Sequence, residues 1–194
     1  WVKGPLNFNF SALPPNTTIY FKADSRNQDG LLSGETILFS TVTLAETPAA
    51  LSLSVFPYSE SSGAAICVSL NADSNPAGTL YSIKTSTDSW QTARWLDMDG
   101  SFCGLPVWLS KSGWGQSVNL SMAAPNTRFS FKARAVNLSG IETQDSPETW
   151  AYSAIESPTS IESDNTEVYF TSMTVRAQGT LSGLDTGNSG IYFR

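Results

Sequence analysis

The residues whose types and spacing could do chemistry are few. They are Cys67 and Cys103, the pair Asp97 and Asp99 in Asp97-Met98-Asp99-Gly100, and the tryptophans Trp90, Trp95, Trp108 and Trp114. Histidine is absent from all 194 residues, so neither a Ser-His-Asp nor a Cys-His site can be assembled. Two cysteines without histidine fall short of the usual four-ligand zinc shell. Asp97-Met98-Asp99-Gly100 has the Asp-x-Asp-Gly start of many oxygen-ligand loops and is a weak calcium candidate, but Asp-Gly is also a common tight turn. Asn27-Gln28-Asp29-Gly30 also resembles an EF-hand loop. With Gly30 as its sixth residue, the first and twelfth positions are Ser25 and Thr36, and both key carboxylates are missing. The remaining acids are scattered, and no Gly-rich loop follows a strand and opens a helix. No enzyme activity and no cofactor are expected.

The elements that must position these residues are strands. Ile19, Phe21 and Ala23 alternate with polar neighbours, as do Leu6, Phe8 and Phe10, then Ile66, Val68 and Leu70, then Val118 and Leu120. Phe129, Phe131, Ala133 and Ala135 form the longest such series, and Met173, Val175 and Ala177 the last. Period two marks a half-buried strand with its apolar side inward. The punctuation is Pro-Asn-Thr, Asp-Gly, Asn-Pro-Ala-Gly and Ser-Gly, and no convincing helix interrupts it. Short strands at this spacing predict an all-β sandwich. Net charge is −6 with no block of like charge, so nothing recruits nucleic acid or an anionic membrane. No run of apolar residues is long enough for a membrane-spanning helix, and no signal peptide is present.

The chain also repeats itself. Pro15-Asn16-Thr17-Thr18-Ile19-Tyr20-Phe21-Lys22-Ala23 returns 110 residues later as Pro125-Asn126-Thr127-Arg128-Phe129-Ser130-Phe131-Lys132-Ala133. Asn27 and Gly30 return as Asn137 and Gly140, and Thr47-Pro48 is echoed by Ser157-Pro158. A fixed period of this size signals tandem modules.

Leu13-Pro14-Pro15-Asn16-Thr17, an alternating strand, and then Asn27…Gly30 resemble the second half of a fibronectin type III domain. Ala124-Pro125-Asn126-Thr127…Asn137-Leu138-Ser139-Gly140 repeats that signature. The resemblance implies tandem immunoglobulin-like β-sandwiches in a large extracellular, bacterial repeat protein. Residues 1–46 would supply strands E, F and G of one module. Residues 47–156 would be a complete module, and residues 157–194 strands A, B and the start of C of a third. The family's tyrosine corner is missing, because Ile19 and Phe129 occupy its place. Added apolar packing must then hold the strand to the preceding turn. The linkers Ala45-Glu46-Thr47-Pro48 and Ile155-Glu156-Ser157-Pro158 are short and marked by proline, which favours a semi-rigid rod.

In this frame the four tryptophans fall in a long excursion between strands C and E. They are either an aromatic platform for sugar rings or a protein surface, or rings that cap the open edge of the sandwich. Cys67, between Ile66 and Val68, faces away from the core, and Cys103 lies in the excursion. If the excursion folds back over that sheet the two can form a disulfide, worth about 4 kcal/mol; otherwise they are two free thiols. Asn9, Asn16, Asn119 and Asn137 open Asn-x-Ser/Thr sequons. The expected role is a structural or adhesive segment at a cell surface. Its partners would be other modules of the same protein, or neighbouring copies that complete its part-modules and build a fibre. The alternative is an accessory module that binds a glycan or surface protein through residues 90–114.

Overall fold

The computed structural model describes residues 7–34, 38–59, 63–71, 73–156, 158, 160–169 and 172–178, with backbone alone at 58–59, 63–64, 121–122, 161–169 and 172–178. Strands β1 (Thr18–Phe21) and β2 (Phe39–Val42) pair antiparallel, Ile19 opposite Thr41 and Phe21 opposite Phe39. They are the two paired strands of the N-terminal unit. The strand expected at Leu6–Phe10 is not formed over residues 7–10, and Leu6 lies outside the described residues. Phe10 instead folds over Phe21, their ring centres 5.2 Å apart.

The central sandwich follows. Strands β3 (Ser52–Ser59) and β4 (Gly63–Ser69) pair antiparallel, and β5 (Leu80–Ser86) crosses to a second sheet. The excursion contributes β6 (Arg94–Leu96), β7 (Phe102–Cys103), β8 (Leu109–Ser110) and the single-turn helix α1 (Lys111–Trp114). Then come β9 (Val118–Ala123), β10 (Arg128–Val136) and β11 (Thr149–Tyr152). Among the described residues one sheet has the order β3-β4-β9, and the other β11-β10-β5-β6-β7 with β8 also on β5. These are the A-B-E and G-F-C-C′ sheets of a fibronectin type III sandwich, all antiparallel. Beyond it, β12 (Ser160–Tyr169) and β13 (Ser172–Gln178) form an antiparallel hairpin with a register shift between Ser163 and Val168. The expected start of a further strand at Ile191-Tyr192-Phe193 lies outside the described residues.

The core sits where the alternation places it. Ile66 and Val68 of β4 and Val118 and Leu120 of β9 meet Tyr81 and Ile83 of β5 and Phe129, Phe131, Ala133 and Ala135 of β10. Leu96 and Trp114 of the excursion join them. Burying this apolar set drives the two sheets together. The turn after β6 is pinned from the opposite sheet. Gly100 has φ 81°, and a Cβ there would lie 1.7 Å from the Asn119 carbonyl oxygen of β9. Only glycine fits both the backbone conformation and the space.

The missing tyrosine corner is replaced by a hydroxyl, beyond the apolar packing of Phe129. In the sandwich, Ser153 Oγ accepts from Thr127 N at 2.9 Å and donates to the Ala124 carbonyl. In the N-terminal unit, Thr43 Oγ1 accepts from Thr17 N at 2.9 Å and donates to Pro14 O at 2.7 Å. A side chain just after β2 thus clasps the turn before β1, as one just after β11 clasps the turn before β10, 110 residues apart.

Candidate functional site

Two regions gather polar and aromatic groups from distant parts of the chain. The first is the joint between the N-terminal unit and the sandwich. It starts from the Pro-Asn-Thr turn, where Asn16 adopts φ 43° and Asn126 φ 46°. That left-handed conformation is one asparagine tolerates better than most residues. The turn presents the Asn16 amide to the sandwich. Asn16 Nδ2 donates to Thr79 Oγ1 at 2.8 Å, and Asn16 Oδ1 accepts from Leu138 N at 2.8 Å. Asn137 Nδ2 donates to the Thr43 carbonyl at 3.1 Å. Asn137 is held by its own hairpin, its Oδ1 accepting from Ile141 N at 2.8 Å and Ser139 N at 3.0 Å. Asn16 and Asn137 are each only 4% exposed, and Thr79 is fully buried. Buried amides bonded through both oxygen and nitrogen fix geometry, because any slip leaves an unpaired polar group.

The linker adds a second grip. Glu46 N donates to Asn75 Oδ1 at 2.7 Å, and Asn75 Nδ2 returns a bond to Glu46 O at 2.9 Å. The Glu46 carboxylate accepts from Ser74 N at 2.9 Å and from the Ser74 hydroxyl. The Ser74 side-chain and backbone bonds hold the Glu46 carboxyl below its ordinary value. The loop that carries Ser74 and Asn75 is anchored from below, where Tyr81 Oη donates to Asp73 at 2.8 Å. Burial, then the Asp73 bond, push the Tyr81 phenol well up. A cleft of about 210 Å³ opens beside the joint between Leu44, Thr47 and Ile141–Gln144.

The second region is the outer face of the β11-β10-β5-β6 sheet. A turn closed by Ser86 and Asp88, with Trp90 N donating to Ser86 Oγ at 3.0 Å, lays Trp90 onto it. Lys132 Nζ stands 4.4 Å from the Trp90 ring centre and Lys84 Nζ 5.5 Å from it, while Lys84 also reaches Trp95 at 5.9 Å. Trp90 Nε1 donates to Glu148 Oε2 at 2.8 Å, and Arg128 lies 4.7 Å over Trp150. Hydrogen bonds from Ser130 and Trp90 lower the Glu148 carboxyl. Asp145 bridges Lys84 and Arg134; burial works to raise its carboxyl, and the bonds from Arg134 and Lys84 outweigh that and hold it low. Aromatic faces and cations thus alternate across the sheet.

The four expected tryptophans are therefore not one platform. Trp90 and Trp95 share the cationic face. Trp108 is half-buried in the approach to β8, and Trp114 is 4% exposed in the core with Nε1 donating to Tyr81 O at 2.9 Å. The more exposed aromatics of this sheet, Trp150 and Tyr152, were signalled only by alternation in Thr149-Trp150-Ala151-Tyr152. An open concavity of about 390 Å³ lies elsewhere, between Thr85–Asp88, Arg94, Phe102 and Phe129.

The cysteines and the aspartate pair lie apart from both regions. Cys67 and Cys103 are free thiols, not a disulfide. Cys67 is on β4, opposite Asn119 and Ser54 in one sheet, whereas the excursion extends the other sheet and sets Cys103 opposite Trp95. Cys103 Sγ instead donates to the carbonyls of Trp95 and Leu105 at 3.4 and 3.3 Å. Asp97 and Asp99 close a hairpin turn. Asp97 Oδ1 accepts from Met98 N at 2.7 Å, Asp99 Oδ1 from Ser101 N at 2.8 Å, and Gly100 N donates to Asp97 O at 3.0 Å. No third His, Cys, Asp or Glu joins them among the described residues.

No family model matches the chain, and no curated protein does. Among solved structures it is similar to the chicken contactin CNTN1 FN1-FN3 domains, at 19% identity and TM-score 0.37, over 76% of this chain. It spans 46% of that chain, less than half of its length. It is also similar to domains d3-d4 of the rat CD45 extracellular region, at 12% identity and TM-score 0.41, over 79% of this chain and 72% of that one. An Fn3-like protein from Clostridium thermocellum gives 21% identity and TM-score 0.32, over 54% and 92%. The strand order described above, rather than these likenesses, carries the fold. No helix among the described residues is long and apolar enough to cross a membrane.

Proposed function

We propose that the chain is a non-catalytic structural segment of a multi-module protein at a cell surface or outside the cell, built to hold successive modules at a fixed angle. One observation carries this reading: the buried, reciprocally bonded asparagines Asn16 and Asn137 across the joint. A flexible tether needs no such match, and a binding module has no reason to bury paired amides between its units. The low charge and the Ser, Thr, Asn and Gly content favour an extracellular setting. The lattice of Lys84, Lys132, Trp90 and Trp95 supports the sheet from outside. Ammonium groups already occupy those ring faces, so the glycan-binding alternative draws less support from them.

The test is whether the joint is rigid. Asn16→Gly keeps the left-handed turn and removes the amide. It should weaken docking by about 1–3 kcal/mol, the cost of leaving buried partners unpaired. Nuclear relaxation should then show the two units tumbling separately while the sandwich melts unchanged. Acid should act alike. Glu46 is depressed in the docked state, so its contribution is complete above the ordinary value of 4.5 and is lost as pH falls through its lowered value. Glu46→Gln should remove that acid dependence. Unchanged tumbling in Asn16→Gly would overturn the reading.

A second reading is favoured by the exposed apolar face of the β1–β2 sheet, where Phe10 and Phe39 flank Phe21 and are each at least 60% exposed. The β12–β13 hairpin of a neighbouring copy would cover it and propagate a head-to-tail fibre. Sedimentation should then show species larger than a monomer that persist on dilution; a monomer at every concentration removes this reading.

A further inference from the structure

We infer that Tyr81 is a positioning residue of the joint: gripped by the end of the tryptophan excursion, it sets through its hydroxyl the loop that receives Glu46 and Asn16. This deepens the reading of a fixed joint and rests on it.

The receiving loop cannot set itself. Between β4 and β5 it runs through Asp73-Ser74-Asn75-Pro76-Ala77-Gly78-Thr79, and Ser74, Pro76, Ala77 and Gly78 are exposed. Within it Thr79 N donates to Pro76 O at 2.9 Å. A segment with so little apolar surface gains little by burial, and fixing its backbone costs conformational entropy. Yet the grip needs it fixed. Asn75 must hold its amide in one orientation to accept from Glu46 N and return a bond to Glu46 O, and Thr79 must stand where Asn16 reaches it.

The hold comes from the core. Both oxygens of the Asp73 carboxylate accept from Tyr81 Oη, at 2.9 and 2.8 Å, and Asp73 Oδ1 also accepts from Asn75 N at 3.1 Å. One carboxylate thus joins a core residue to the residue that meets Glu46. Tyr81 is 3% exposed and belongs to the core cluster. The core requires an apolar side chain at this place on β5, as it has in Ile83 two residues on. It does not require a hydroxyl, which is costly to bury unless it is bonded. That hydroxyl finds its partner in the loop.

The excursion returns to the same residue. β8 pairs with β5, setting Leu109 opposite Tyr81 and Ser110 opposite Leu80. α1 follows at once, capped by Ser110 Oγ accepting from Gly113 N at 3.1 Å. Its Trp114 donates from Nε1 to Tyr81 O at 2.9 Å. Lys111 Nζ donates to Asn71 O on the other arm of the loop, and the Asn71 amide is tied in turn to Ala50 O and Ser52 Oγ. The end of the excursion therefore holds the loop at its entry through Asn71 and at its exit through Tyr81. This is a task separate from closing the core.

The experiment compares the parent chain with Tyr81→Phe, which keeps the ring and deletes the hydroxyl, and with Lys111→Met, which leaves the core untouched and deletes the ammonium. Amide hydrogen exchange is read at Glu46 and Ser74, whose N–H groups make the grip, and at Ala133, whose N–H donates to Ser146 Oγ inside the sandwich. Exchange at Glu46 and Ser74 is expected to rise about tenfold in Tyr81→Phe, and by a smaller factor in Lys111→Met. A hydroxyl that only stabilises the sandwich would speed Ala133 and leave Glu46 and Ser74 at the parent's rate. That result overturns the inference, as do Glu46 and Ser74 amides indifferent to Lys111→Met. Units freed by Asn16→Gly, beside Glu46 and Ser74 amides that ignore Tyr81→Phe, sink this inference alone. Units that still tumble together in Asn16→Gly sink the reading beneath it.

Discussion

Phe131→Ala is expected to destabilise the sandwich by about 3–5 kcal/mol, the scale of large truncations in a closed core. Phe131 is completely buried at the centre of β10, opposite Thr85 of β5 and Thr149 of β11. Its ring lies 6.4 Å from that of Phe129, so alanine would open a void that neighbours on two sheets must close together. Ser130 points the other way, but it is not the free outer position its polarity suggests. It is 5% exposed and hydrogen-bonded to Glu148 under the lysine and tryptophan face. Ser130→Ala should therefore cost about 0.5–1.5 kcal/mol, one net hydrogen bond. Denaturant unfolding at unchanged m-value measures both. Equal losses at 130 and 131 would mean that the strand faces have been exchanged.

Trp114→Ala should cost a similar 3–5 kcal/mol. It removes the largest side chain contributed by the excursion to the core and leaves Tyr81 O without the indole donor. Trp90→Ala should cost far less, about 1–2 kcal/mol, from two cation–π contacts and the bond to Glu148. The contrast separates a ring that closes the sandwich from one that decorates it. A Trp114→Ala protein as stable as the parent would return Trp114 to the surface platform.

Much of the sandwich was legible because its signals are local. Alternation in Phe129–Ala135 fixes which side chains of β10 meet the core, and Pro-Asn-Thr and Asn-x-x-Gly fix turns whatever surrounds them. The clasp was hidden, because the partner of Thr43 or Ser153 depends on how strand G registers against the turn, and a hydroxyl carries no period. The cysteine pairing failed for a related reason. Outward facing was read correctly for Cys67, but which sheet the excursion would extend is set by pairing with β5, which spacing does not encode. The joint was visible only as repetition. Asn16 and Asn137 stood out as recurring residues, yet their meeting needs two modules set end to end, and nothing in either segment announces its partner. Phe8 and Phe10 alternate like a strand and are not paired as one among the described residues, since alternation reports a side and not a partner.

The two amides that lock the joint are also the acceptors of two sequons, Asn16-Thr17-Thr18 and Asn137-Leu138-Ser139. An oligosaccharide is attached at Nδ2, the nitrogen that reaches Thr79 from Asn16 and Thr43 O from Asn137. At 4% exposure neither nitrogen has room for a sugar while the joint is closed. Glycosylation at these sites and docking therefore exclude one another. On the reading proposed above, a host that glycosylates the chain before the joint closes should hold Asn16 and Asn137 away from their partners and leave the joint open. One that does not should leave the joint closed, so the choice of expression host would decide whether the two units move together.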